Sequence, residues 1–173
     1  MAVSYKQVRK HDAVDRICHL LQFKRIKGTI TMIIDQTLLD SLTAQAKANP
    51  RLRQSYDLRT EATEACPEHS RRDQSQRMLN ALEPGTELPI HRHRHSSETM
   101  VVIRGSVTEL FYNDEGKLTD AITVAPKSEC SMIQIEKGQW HSLKCNEPNT
   151  IIFEAKDRAY EPLTEEDILT FTK

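Results

Sequence analysis

Three histidines on alternate residues, His91, His93 and His95, stand in GTELPIHRHRHSSETMVVIRG, with the carboxylate of Glu98 close behind. Imidazole and carboxylate groups are the side chains that bind divalent transition metals. On an extended backbone alternate residues share a face, so His91 and His93 project together while Arg92 and Arg94 point the other way. Glu98 has the wrong parity for the histidine face, and a turn or bulge around Ser96 and Ser97 is expected to bring it round. A single strand seldom completes a metal shell. His141 in KGQWHSLKC is the candidate for a distant ligand, because His11 and His19 lie in an N-terminal extension and His69 in a charged loop. The competing reading is a solvated basic patch, for which HRHRH is polar enough.

The elements that must position these groups are read from periodicity. From Met32, MIIDQTLLDSLTAQAKANP places Leu38, Leu39, Leu42 and Ala46 at helical spacing, with Asp35 as a cap and Pro50 as a stop. RLRQSYDLRT has no clear period. After residue 72 the pattern becomes short extended runs broken by turn residues: SQRMLNAL, ELPIHRH, ETMVVIR, SVTELFY, AITVAP, SMIQI, WHSLKC and TIIFEAK. NDEG between SVTELFY and AITVAP is a hairpin signal. Strands without intervening helices predict a mainly all-β chain, an antiparallel sandwich or barrel. Thr164 and the acidic residues after it predict a short closing helix, so helices flank the β region at both ends.

With 173 residues, 38% hydrophobic and 28% charged, the chain suits a single domain over residues 32–173. Residues 1–31 form an N-terminal extension that is possibly not part of the fold, carrying seven Lys/Arg against two Asp within a net charge of -1. That basic start reads either as a nucleic-acid arm or, preferably, as a solvated extension, and the acidic remainder offers a polyanion little attraction. No apolar run reaches membrane-span length and no secretory segment opens the chain, so a cytoplasmic location with no nucleic-acid or membrane partner is expected. Cys18, Cys66, Cys130 and Cys145 form no CxxC pair and are expected as thiols. Residues 61–72, EATEACPEHSRR, hold almost no large apolar side chain and are expected to be a surface insertion; the alternative is a lid in which Cys66 and His69 complete the site.

Gly85, His91, His93, Glu98 and Gly105 reproduce the first motif of the cupins at every fixed position, a match expected by chance in roughly one chain of this length in ten thousand. The second motif is partial: Gly138 and His141 fit, while Cys130, Glu136 and Cys145 stand where the family has Gly, Pro and Asn. Outside the motifs, QRMLNALEPGT, GQWHSL and IIFEAKDRAYEP resemble the WbuC-type cupin metalloproteins, a group linked to surface-polysaccharide gene clusters. The resemblance implies a cupin-type antiparallel β-barrel or jelly roll. It also implies one divalent transition metal per chain (Fe, Mn, Ni, Co or Zn) held by His91, His93, Glu98 and His141. His95 occupies no ligand position of the family and is assigned a surface or outer role.

The implied activity is that of a mononuclear metal cupin acting on a sugar or nucleotide-sugar-like small molecule in surface polysaccharide biosynthesis. A non-catalytic sugar-binding or sensing module, and a metal-free sugar epimerase or isomerase, are the alternatives. Arg53, Tyr56, Arg59, Arg77, Asn80 and Tyr160 are candidates for holding such a ligand, against surface ion pairs and barrel packing as the plainer roles. ETMVVIR leaves neither strand face polar. Its outer face therefore needs a helix, the N-terminal segment or a second subunit to cover it, and a homodimer is the preferred reading.

Overall fold

The computed structural model describes residues 23–26, 29–58, 75–159 and 161–170. The 61–72 segment with Cys66 and His69, and the ligand candidates Arg59 and Tyr160, lie outside the described residues. Among the described residues the chain is mostly antiparallel β-sheet with one α-helix, a sandwich of the jelly-roll class. A hairpin of β1 (Phe23–Ile26) and β2 (Thr29–Met32) comes first, within the stretch expected as an extension. The helix expected from Met32 begins later: α1 spans Gln36–Ala48 because the Asp35 carboxylate accepts from the Leu38 N–H at 3.0 Å, closing the first turn, while Met32 belongs to β2.

A five-stranded sheet follows, in the order β3 (Arg53–Asp57), β4 (Gln76–Leu82), β10 (Thr150–Lys156), β5 (Glu98–Arg104), β8 (Met132–Ile135). A three-stranded sheet faces it, β7 (Leu118–Val124), β6 (Val107–Tyr112), β9 (Trp140–Cys145). Its β6–β7 hairpin turns at Asn113–Gly116, where NDEG signalled one, through a Gly116 N–H bond to the Asn113 carbonyl at 2.9 Å. The closing helix is a single 3₁₀ turn, Glu165–Asp167, capped by Thr164.

Register decides which side chains reach the interior. Leu79, Ala81 and Ile151 share the outer face of the large sheet, where Leu38, Leu39, Leu42 and Ala46 of α1 cover them. On the inner face Leu82, Met100, Val102 and Ile152 pack against Val107, Val124 and Cys145 of the small sheet. Burying each large aliphatic side chain contributes ~1.5–3 kcal/mol, so both layers are held by the same effect. The helix contacts β3, β4 and β10. Farther along the same outer face, Val101 pairs with Met132, which is 59% exposed, and Ile103 is 39% exposed.

Candidate metal centre

The histidine run is not the regular strand its alternation predicts. Pro89 offers no N–H to a ladder. His91 makes an isolated bridge instead, its N–H bonding the His141 carbonyl at 2.9 Å and the His141 N–H returning to the His91 carbonyl at 2.8 Å. The chain bends at Arg94–His95 rather than at the two serines. On the other side the C-terminal segment straps the run down: Arg92 N–H bonds Asp167 O at 3.1 Å, and Leu169 N–H bonds Ile90 O at 2.9 Å. The Arg94 guanidinium clasps Asp167 at 2.7 Å and Glu166 at 2.5 Å.

This framework gathers His91, His93 and His141 so that one ligand atom from each lies within 4.8 Å of the others. The rings approach centroid to centroid at 4.3 Å for His91–His141, 5.1 Å for His91–His93 and 5.6 Å for His93–His141. Two of them have their tautomer set by the backbone. Nδ1 of His91 faces the Pro89 carbonyl at 3.1 Å and Nδ1 of His141 faces the Gln139 carbonyl at 2.9 Å. A carbonyl can only accept, so Nδ1 carries the proton and Nε2 keeps its lone pair. Burial, then the neighbouring His141 and His93, lower the His91 pKa to about 3, and burial lowers that of His141 as well. Both imidazoles are therefore neutral at physiological pH, the state a metal requires.

Glu98 stands beside this group rather than within it. Its Oε2 lies 3.1 Å from His93 Nε2 and 3.0 Å from Lys156 Nζ, its cross-strand neighbour. Burial alone would raise its pKa, but the close contact with His93 and then the Lys156 charge outweigh that and hold it below the usual carboxylate range. Lys156 also approaches Glu154 at 3.6 Å. Burial, then the Glu98 charge, push the pKa of Glu154 up to about 7.

The donor set fits a cation. His141 Nε2 is buried and makes no hydrogen bond, although such an atom is costly to leave unsatisfied, and His93 Nε2 meets only the Glu98 carboxylate. Three imidazole nitrogens beside an ionised carboxylate suit a divalent transition ion.

His91, His93 and Glu98 border a cavity of about 610 Å³ between β3, β4, the histidine run and the C-terminal strap. Of the candidate ligand-holding residues, Arg53 and Asn80 line it. Tyr56 pairs with Leu79 and packs on the helix side of the sheet, and Arg77 shares that outward parity; neither is among the lining residues. His95 is exposed at the rim. Trp140 is 6% exposed, donates to Asp114 at 3.0 Å and carries the Arg92 guanidinium 4.3 Å above its ring, so it is a packed core residue. Sequence reasoning passed over Glu154, Lys156 and Glu109. The signal was strand parity: Ile152, Glu154 and Lys156 alternate onto the inner face with Glu98.

Glu109 is 1% exposed, has an unsatisfied Oε1, and is raised to about 9 by burial and then by Glu98 and Glu154. Between its ordinary value of 4.5 and about 9 the folded chain holds a proton that the unfolded chain has lost. Stability therefore falls as pH rises through that window. Glu109→Gln is expected to stabilise the chain by ~1–3 kcal/mol at pH 8, with the gain shrinking toward pH 5, in urea melts at both pH values. A gain that is constant with pH would contradict it.

The family model described as Domain of unknown function (DUF6016) matches residues 34–124. No curated protein matches the chain. Among solved structures, the chain is similar to the capsular polysaccharide assembling protein CapF from Staphylococcus aureus. Identity is 18%, over 52% of this chain and 24% of that one, with a TM-score of 0.45. It is similar to KdgF from Halomonas sp. at 14% identity over 50% of this chain and 72% of that one, with a TM-score of 0.40. Oxalate oxidase matches at 15% identity over 64% of this chain and 53% of that one, with a TM-score of 0.47. The chain thus spans about a quarter of CapF and about half of oxalate oxidase. Identities this low transfer neither substrate nor reaction.

Proposed function

The chain belongs to the family described as Domain of unknown function (DUF6016), and from its site we propose a cupin-type metalloprotein with one divalent transition ion on His91, His93 and His141. Glu98 is the fourth ligand in this reading, with Lys156 steering its carboxylate. The observation that carries the proposal is the convergence of three imidazoles, two with Nδ1 committed to backbone carbonyls, around one point at the end of a cavity. The ion would supply Lewis-acid polarisation of an oxygen bound beside it. The chain's own residues do the rest: the strap from Thr164 to Leu169 fixes the histidine run, and Lys156 holds the Glu98 carboxylate in place at 3.0 Å. A small sugar or nucleotide sugar is the proposed ligand class, in surface polysaccharide biosynthesis, which the WbuC-like sequence pieces support. The metal-free isomerase reading requires the histidines not to gather at one point, and their 4.8 Å cluster disfavours it.

Val101, Ile103 and Met132 also support a homodimer through the outer sheet face, which light scattering at micromolar concentration reports; a monomer would count against it. Metal binding is tested by chelating the purified chain and returning Mn(II), Co(II), Ni(II), Fe(II) or Zn(II) singly. An ion present at about a hundred times its Kd stabilises the folded state by ~2.7 kcal/mol, so a rise of several degrees in Tm is expected with at least one of them. No rise with any ion would sink the proposal. Turnover of the ligand then separates an enzyme from a binding or sensing module.

A further inference from the structure

Six basic and four acidic side chains line the cavity, in a chain whose net charge is only -1. Three of the six basic groups are already engaged. Arg94 pairs with Asp167 and Glu166, Lys156 with Glu98 and Glu154, and Arg92 lies over Trp140. Among the described residues Arg51, Arg53 and Arg158 have no acidic partner, and Arg51 and Arg53 stand two residues apart on the cavity wall.

Their placement is built into the backbone. Leu52, between them, has φ of 54°, the left-handed region that side-chain-bearing residues rarely adopt. Four hydrogen bonds hold it there. Leu52 N–H bonds Asn49 O at 2.8 Å, the Leu52 carbonyl accepts from Glu83 N–H at 3.0 Å and from the Thr86 hydroxyl at 2.7 Å, and Arg51 N–H bonds Asn49 Oδ1 at 2.9 Å. A strained turn pinned this firmly presents two guanidinium groups at a fixed place on the wall.

That place is far from the histidines. Arg53 pairs with Leu82, and Leu82 with Thr150, whereas Lys156 and Glu98 pair at the other end of the same strands. Six residues of strand separate the two levels, roughly 20 Å, which the reach of an arginine side chain shortens by several ångströms. Asn80 and Ser55, joined by a 2.5 Å hydrogen bond, line the cavity between them, and neutral hydroxyl and amide groups suit sugar hydroxyls.

We infer that the cavity takes an elongated ligand whose oxygen-rich end faces the histidine cluster and whose phosphoryl end is held by Arg51 and Arg53. Guanidinium forks match phosphoryl oxygens bidentately, and a cleft with excess positive charge concentrates anions. The inference rests on the metal-site reading for the orientation of the ligand, and the phosphoryl end stands without it.

The test uses the full chain, freed of metal so that no ion can bind the probe. Calorimetric titrations compare inorganic pyrophosphate, inorganic phosphate, glucose 1-phosphate and glucose at low ionic strength. The wild type should bind pyrophosphate and glucose 1-phosphate more tightly than glucose. Arg51→Gln combined with Arg53→Gln should weaken both phosphorylated probes at least tenfold, with Tm unchanged and metal uptake intact; Arg53→Lys alone should lose less. Equal affinity for glucose and its phosphate, or pyrophosphate binding unaffected by the double substitution, would overturn the inference. A chain that binds pyrophosphate through the two arginines yet takes up no metal would sink the metal reading alone.

Discussion

His141→Ala is expected to lower metal affinity by about a hundredfold or more while the chain keeps its β-sheet circular dichroism. Substitutions one shell removed from a metal already cost 10–100-fold, and His141 supplies a donor atom directly. It is also the only one of the three gathered histidines contributed from outside the 91–93 run, so its loss leaves two donors on one short segment. The ring is 3% exposed and ends the β9 side of the bridge to His91, but that bridge is made by backbone atoms that alanine retains. His95→Ala serves as the internal control, since its exposed ring belongs to no gathered group, and should change affinity by less than about twofold. Equilibrium dialysis with Zn(II) or Co(II) reads both variants. Equal losses would show that the ligand set is misassigned.

The second large effect is on folding. Gly105, which ends the first motif, has φ of +76°, and a Cβ built there would lie 2.2 Å from Thr150 Oγ1 and 2.9 Å from its Cα. Thr150 is 0% exposed and cannot swing aside, because its hydroxyl donates to Glu147 O at 2.7 Å. Left-handed strain costs ~1–2 kcal/mol and overpacking against a fixed neighbour a further ~1–3 kcal/mol, so Gly105→Ala should destabilise by about 3 kcal/mol or more. Chemical denaturation measures it directly. A loss below ~1 kcal/mol would mean that the β5–β6 turn and Thr150 readjust freely. The motif glycine is thus a packing requirement at the corner between the sheets.

The central constellation was legible because chemistry and spacing coincide there. His91 and His93 share a face through their spacing of two, and His141 was the remaining histidine within the β region. The ELPIHRH strand was misread, since alternation says nothing about which partners the backbone will find. Pro89 and the closing C-terminal strap leave only isolated bridges at His91, to His141 and to Ile168. β3 was missed for the opposite reason. Arg53, Ser55 and Asp57 face the cavity side of the sheet, so the strand shows no apolar alternation to detect. Lys156 looked like a polar strand end, and only the register that sets it opposite Glu98 reveals a buried cation next to the proposed ligand carboxylate. The helix shows how far local signals reach. The Asp35 cap and the Leu38, Leu39, Leu42 stripe were readable, but the true start depended on Met32 joining a hairpin.

The most direct measurement is elemental analysis of the chain purified without an affinity tag and without added metal. The expected result is close to one equivalent of a single divalent transition metal per chain in the wild type, and little in a His91→Ala, His141→Ala double variant that remains folded. Metal far below stoichiometry in every wild-type preparation, or equal metal in the double variant, would contradict a metal centre built on these histidines.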